Sequence, residues 1–564
     1  MNTNLIILAI SSLLALAAGF VPSLDQSEYL YQNLTWFFML AIFVLACAAS
    51  IKVVRGFDLA ANFARHWPAA LLALVIVTAA ALLSPPDFRI LADETNLLGV
   101  SLEMHDTLKT RLPLESLYFY FGQRQGISYK TEMRPAGFPF ALSLLHGLIG
   151  YRTANPFIMN LGLAWLALLL MYLLTTRQAG RAYGLLAMLL LAAFPAFVQS
   201  ACSAGFEIYN LMLALALLLL LDLLIAGRAG AEAVVACLLL LAFSRYESVL
   251  GVVCFLPFLL YHEGSPEAKP ANWLIWAFPL LLIPALWLRR ITFNPTSFQV
   301  SDIGQAFSLA NVNDNFLGWL TYFTSFEYSR LIGPFMLAML PLGLLVWLLN
   351  TTAAGQTFKQ RFFAGSVGLF FFVHLLARLF YTQGNPVNPY TVRLVVIMLP
   401  AMVWLALAVL RRAEKFWAVA GRQPALQAAC LAVFLLVLSW PAASGVKITN
   451  MLALFREFGW VRQELSRINA GEETILICER STMYVPLLYS AVGPKYTLEN
   501  AGKIMEMLNI AAYNRLIFIE SINYRTGKSN MPPIPAEFST LKSEVLFETQ
   551  MTGAEKLKIT LLHP

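Results

Sequence analysis

Asp93 and Glu94 stand side by side in Asp-Phe-Arg-Ile-Leu-Ala-Asp-Glu-Thr-Asn, a few residues after an apolar run that ends near residue 84. Arg245, Arg378 and Arg393 each lie at an end of a separate apolar run, and His374 precedes Arg378 by one helical turn. A carboxylate at a bilayer surface is suited to take a proton from an attacking hydroxyl. Charges at membrane depth are costly and usually face a cavity or a partner. Arginine offers fixed donors to phosphate oxygens, so three at one level on separate helices fit a shared anion. Together these groups would suffice for a displacement on a sugar, if a lipid phosphate at the membrane surface carries one. The phosphate departs as a stable anion, which calls for positive charge rather than a general acid. One displacement inverts the anomeric centre. A hydrolase with two carboxylates needs them facing each other across the bond, which adjacent Asp93 and Glu94 do not do within one segment. The plainer roles are a helix cap for Asp93, snorkelling toward headgroups for each arginine, and a packed polar residue rather than a metal ligand for His374.

The elements that must position these residues are set by composition. Of 564 residues, 59% are hydrophobic and 13% charged, against about 45–50% and about 25% in soluble proteins. Mean hydropathy is +0.67. The chain therefore reads as a polytopic membrane protein, and disorder, coiled coil, collagen and secreted disulfide scaffolds are excluded as descriptions of the whole. The net charge of +7 does not indicate nucleic acid, because the basic residues sit in loops between apolar runs. Six cysteines form no CxxC pair, so neither a zinc ribbon nor a disulfide frame is encoded.

A span needs about 20 apolar residues. Thirteen candidates run at 4–22, 33–54, 67–84, 156–175, 182–198, 207–225, 232–246, 249–262, 272–288, 331–350, 362–381, 391–410 and 425–443. The first reads as a retained span rather than a cleaved signal peptide. The stretch 138–149 is too short to cross and reads as interfacial or buried. With a cytoplasmic N-terminus, the internal loops hold thirteen basic residues: Lys52, Arg55, Arg65, Arg177, Arg181, Arg228, Lys269, Lys359, Arg361, Arg411, Arg412, Lys415 and Arg422. The external loops 23–32, 199–206 and 382–390 hold none, which is the positive-inside pattern.

The expected organisation is all-α, with two additional N-terminal helices over 1–66, then a transmembrane core over 67–446 with external loops 85–155 and 289–330. A small extracytoplasmic α/β domain follows over 447–564. In that tail, 451–468 reads as an amphipathic helix, and 474–478, 515–519, 545–548 and 557–562 read as strands.

These marks, in order, resemble the GT-C superfamily of integral-membrane glycosyltransferases, in the bacterial branch of protein O-mannosyltransferases and lipid A aminoarabinose transferases. The resemblance covers about 67–443 and rests on several features. They are the acidic pair Asp93-Glu94, the stretch Arg134-Pro-Ala-Gly-Phe-Pro139 before a short apolar helix, Ala193-Phe-Pro195 closing a span, Ser244-Arg-Tyr-Glu247, and Arg393 through Pro400. It implies Asp93 as catalytic base, Glu94 assisting placement, and a polyprenyl-phosphate monosaccharide as donor, its phosphate near Arg245, Arg378 or Arg393. Arg134, His374 and Glu247 are further site candidates. The acceptor would be an envelope glycan, lipid or protein, and the compartment the outer face of a bacterial inner membrane.

The chain departs from the family pattern in reading Arg-Pro-Ala where Pro-Pro is commoner, and in its two extra N-terminal spans. Some members bind a divalent metal. Here Glu103 and His105 project to different sides of a helix, so no obligatory metal is expected. A transporter or lipid flippase is the alternative, though no internal repeat points to one. A polymerase or ligase using a diphosphate donor would need a large, charged late external loop, and 382–390 is uncharged.

Overall fold

The computed structural model describes residues 3–56, 58–119, 123–263, 273–293, 306–352, 357–388, 390–419, 453–471, 473–510, 512–523, 526, 528–550 and 555–564. The chain forms two compact units. One comprises Met1–Asp87, Met133–Ala141 and Pro156–Val446; the other comprises Phe88–Glu132, Leu142–Asn155 and Lys447–Pro564. Most of the first loop therefore groups with the tail.

The helices are α1 (Thr3–Phe20), α2 (Leu24–Arg55), α3 (Leu59–Leu83), α4 (Leu91–Thr107), α5 (Gly137–Ile149), α6 (Asn155–Ala179), α7 (Arg181–Ala192), α8 (Pro195–Ala201), α9 (Glu207–Ile225) and α10 (Ala231–Ala242). They continue with α11 (Leu250–Glu263), α12 (Trp273–Leu281), α13 (Ile283–Thr292), α14 (Ala310–Thr324), α15 (Ile332–Thr352), α16 (Phe358–Phe380), α17 (Leu399–Val419), α18 (Ala453–Arg467), α19 (Pro494–Glu499) and α20 (Ala501–Asn509). Twelve of the thirteen expected spans coincide with helices, and 425–443 lies outside the described residues.

Among the described residues, seven helices are long and apolar enough to cross a bilayer alone, and the bent pair α7–α8 passes the same test only when its two helices are taken together. The chain is thus a multi-pass membrane protein. The expected span 182–198 is broken by 76°. Pro195 disfavours helical backbone at Phe194, whose ψ is 125°, and the chain restarts as a new helix. The run 272–288 is likewise two short helices, α12 and α13. Helix α5 has 13 residues, about 20 Å at 1.5 Å per residue, too short to span.

The N-terminal helices are not appendages. Ala15 of α1 and Tyr31 of α2 pack with Ile283, Trp287, Leu288 and Ile291 of α13. The Trp287 indole N–H donates to the Ala18 carbonyl at 2.8 Å.

The second unit is built on seven strands: β1 (Leu112–Phe119), β2 (Gln123–Lys130), β3 (Thr474–Cys478), β4 (Ser490–Val492), β5 (Arg515–Asn523), β6 (Lys542–Gln550) and β7 (Glu555–His563). They form one sheet in the order β2-β1-β4-β3-β5-β7-β6. The four strands expected in the tail are present. The small domain is not made from the tail alone, however, because the first loop contributes the β1–β2 hairpin, joined through Ser116 opposite Ala491. Its centre is parallel, β4-β3-β5, and its flanks antiparallel. All five residues of β3 are buried, as a central strand covered on both faces requires. Ile504 and Leu508 of α20 join Phe518 of β5 and Phe538 in one buried cluster.

Candidate functional site

The three arginines reach one crevice of the helical unit from three separate elements. Arg245 lies in the turn after α10, Arg378 in the last turn of α16, and Arg393 in a short 3-10 helix, Val392–Met398, that leads into α17. Arg245 is therefore just past its helix rather than in it. Arg245 Nη1 and Arg393 Nη1 stand 2.9 and 3.2 Å from Glu207 Oε1. Arg245 Nε also donates to Glu247 Oε1 at 2.7 Å, and Arg378 Nη2 pairs with the same oxygen. The result is a chain of charges, Arg378–Glu247–Arg245–Glu207–Arg393. The Phe206 ring lies 4.7 Å from the Arg245 guanidinium and 5.8 Å from that of Arg393, close enough for cation–π attraction. A narrow, closely packed crevice is lined by Glu207, Asn210, all three arginines and apolar residues of 394–397.

Local sequence explains why these groups stay in place. On α9, one turn after Glu207, Asn210 Oδ1 accepts from the hydroxyls of Ser244 and Ser248 at 2.5 and 2.6 Å. This clamps both sides of the Arg245–Glu247 turn. From the other side, the Gly137 N–H donates to the Phe243 carbonyl at 2.9 Å, and the Tyr246 hydroxyl donates to the Met133 carbonyl. Arg134-Pro-Ala-Gly-Phe-Pro139 and Ser244-Arg-Tyr-Glu247 are thus one structural feature. Gly137 is required by close approach, since a Cβ there would meet Phe243 O at 2.6 Å.

The end of α16 is held in a similar way. Asn315 Nδ2 on α14 faces the carbonyls of Arg378, Leu379 and Tyr381 at 3.1, 2.9 and 2.7 Å, satisfying groups that a helix end leaves open. The Trp319 indole donates to the Gly384 carbonyl at 3.2 Å. The uncharged loop 382–390 therefore serves as a brace. His374 is fully buried, with Nδ1 2.9 Å from the Phe370 carbonyl and its ring tilted against that of Phe370, centroids 4.4 Å apart. Its Nε2 and the Nε of Arg378 are buried with no hydrogen-bond partner among the described residues. Arg134 is half-buried, just ahead of α5.

Asp93 and Glu94 belong to the sheet-containing unit, in the first turn of α4. The N-cap there is Ile90, with no side-chain cap. The cap role for Asp93 is therefore not what the backbone adopts. Asp93 sits half-buried inside the turn, and its N–H donates to the Ile90 carbonyl at 3.1 Å. Glu94 is 2% exposed and reaches back to accept the Arg89 N–H at 2.6 Å. Both carboxylates lie where the helix dipole favours negative charge.

Farther along α4, Glu103 is fully buried between Arg111, at 2.7 Å, and Arg124. Asp106 meets Arg124 at 3.1 Å. Burial opposes the Arg124 charge, but Glu103 and Asp106 outweigh it and raise its pKa. These acids are committed to ion pairs, and no group of three potential metal ligands occurs among the described residues. Ser101, His146 and Asn155 superficially suggest a nucleophilic triad. Asn155 Nδ2 lies 2.8 Å from His146 Nδ1, so Nε2 carries the hydrogen toward Ser101 Oγ at 3.1 Å. This is the wrong tautomer for activating a serine, whose hydroxyl donates to the Leu98 carbonyl. Burial lowers the His146 pKa to about 3.

Sequence reasoning missed Glu207, Asn210 and Phe206. The signal was present, because Glu207 opens a 19-residue helix that is mostly apolar, and the rule that singles out arginines at membrane depth applies to carboxylates as well.

No protein-family model and no curated protein matches the sequence. Solved structures do. ArnT from Cupriavidus metallidurans bound to undecaprenyl phosphate aligns over 88% of this chain and 98% of its own, with 12% identity and a TM-score of 0.51. The apo oligosaccharyltransferase of Archaeoglobus fulgidus aligns over 80% and 69%, with 10% identity and a TM-score of 0.43. The fold resembles that of ArnT.

Proposed function

We propose that the chain is an inverting membrane glycosyltransferase that moves a monosaccharide from a polyprenyl-phosphate donor to an envelope glycan, lipid or protein at the outer face of a bacterial inner membrane. The observation that carries this reading is the convergence of Arg245, Arg378 and Arg393 on one crevice, in a fold like that of ArnT, which was solved with undecaprenyl phosphate. In this mechanism the arginines hold the donor phosphate and stabilise the charge that develops as it leaves. Asp93 takes the proton of the acceptor hydroxyl as its oxygen attacks C1. Glu94 helps place a substrate, Arg134 and His374 flank the reaction, and Glu247 aligns two of the arginines. No metal is obligatory in this chemistry, because the leaving phosphate needs only fixed cations. The positive-inside pattern puts the N-terminus in the cytoplasm and the α/β unit outside.

The test incubates purified protein with radiolabelled polyprenyl-phosphate sugars and a crude envelope fraction. Label should move to an acceptor with wild type and fall by orders of magnitude with Asp93→Asn. Unchanged transfer by Asp93→Asn removes that residue from the mechanism, and no transfer from any lipid-phosphate sugar removes the mechanism.

A further inference from the structure

The crevice carries less positive charge than its arginines suggest. Three guanidinium groups are opposed by two carboxylates, Glu207 and Glu247, each bridging two arginines through one oxygen. These five groups sum to +1. Arg289 lies within electrostatic reach of Glu247 but does not line the crevice, and its guanidinium donates to the Tyr246 carbonyl. Glu207 and Glu247 are 3% and 10% exposed at the side chain, so both act through a medium that screens them weakly.

We infer that Glu207 and Glu247 are specificity-determining residues that match the crevice to a phosphodiester and prevent it from retaining a phosphomonoester. The inference rests on the lipid-phosphate reading above. In the transfer, the acceptor oxygen forms a bond to C1, and the bond from C1 to the phosphate oxygen breaks with its electron pair going to that oxygen. The acceptor proton passes to Asp93. The donor phosphate carries one negative charge, while the product monoester carries up to two near neutral pH. A crevice of +3 would grip the dianion hardest and hold the spent lipid, and slow product release commonly limits turnover. At +1 the crevice neutralises the donor and leaves the second product charge uncompensated. The carboxylates also occupy donors that a phosphate would use, so the arginines stay ordered between turnovers.

The test measures binding to the full-length purified protein of two probes, farnesyl phosphate (a monoester) and its methyl ester (a diester). Wild type should bind both within a few-fold of each other. At about 6 Å and an effective dielectric near 20, removing one carboxylate charge should tighten the diester roughly a hundredfold and the doubly charged monoester roughly ten-thousandfold. Glu247→Gln and Glu207→Gln, which touch different arginine pairs, should each show this. Each should also lower the melting temperature without ligand and enlarge the shift that farnesyl phosphate produces, because the anion then supplies the missing partner. If wild type binds both probes but neither variant changes the monoester-to-diester ratio, the inference is overturned while the lipid-phosphate reading stands. If wild type binds neither probe, that reading fails and takes the inference with it.

Discussion

Replacing Gly137 by alanine places a methyl group 2.6 Å from the Phe243 carbonyl oxygen and 3.0 Å from its carbon. Ordinary contact begins near 3.4 Å, so the backbone entering Ser244–Glu247 must recede by about 0.8 Å. The same shift lengthens the 2.9 Å bond from the Gly137 N–H. Overpacking of this kind costs about 1–3 kcal/mol, and misplacing a reacting group by about 1 Å costs on the order of a hundredfold in rate. Gly137→Ala should therefore lower kcat/KM for labelled-sugar transfer ten- to a hundredfold and reduce the melting temperature by a few degrees. Gly147, also on α5, has nothing within 4 Å of its added Cβ, so Gly147→Ala should leave the first two turns of α5 and the transfer rate unaltered. Wild-type kcat/KM and stability in Gly137→Ala would refute the claim that this contact positions the Arg245–Glu247 turn.

Arg245→Lys keeps the charge but cannot bridge Glu207 and Glu247 with a fixed fork. Transfer kinetics should show a loss of about 2 kcal/mol, roughly thirtyfold in kcat/KM. Glu103→Gln leaves Arg111 and Arg124 without their buried carboxylate, and thermal melting should report destabilisation of about 3–5 kcal/mol in the sheet-containing unit. His146 has a folded pKa of about 3 against 6.5 unfolded. The unfolded chain therefore binds the extra proton between these values, and stability present above pH 6.5 should be lost progressively as pH falls toward 3. His146→Gln should flatten that part of a melting-temperature profile.

How much of this was legible in the sequence depends on the range of the forces involved. Burial in lipid acts on whole runs of residues, so apolar length located twelve helical stretches among the described residues. It could not place the break at Phe194, which a single proline ring imposes. The strands at 474–478 and 515–523 announce themselves through buried Ile, Leu and Phe. The β1–β2 hairpin does not, because Leu112–Phe119 includes Pro, Glu and Ser and pairs with the sheet through a strand more than 370 residues away. Local pattern carries no information about such a partner. The arginines were found because charge at membrane depth demands an explanation. Of the glutamates that hold them, Glu247 stood among the candidates and Glu207 was overlooked, since it reads as the polar first residue of a span. The plainer cap role weighed for Asp93 is not adopted, because the cap falls at Ile90, three residues earlier.

The most direct measurement is a structure of the full-length protein with bound polyprenyl phosphate. The account predicts the phosphorus in the crevice of Glu207 and Asn210, with phosphate oxygens about 2.7–2.9 Å from guanidinium nitrogens of at least two of Arg245, Arg378 and Arg393. A phosphate seated elsewhere, with all three arginines still bound only to Glu207 and Glu247, would contradict it.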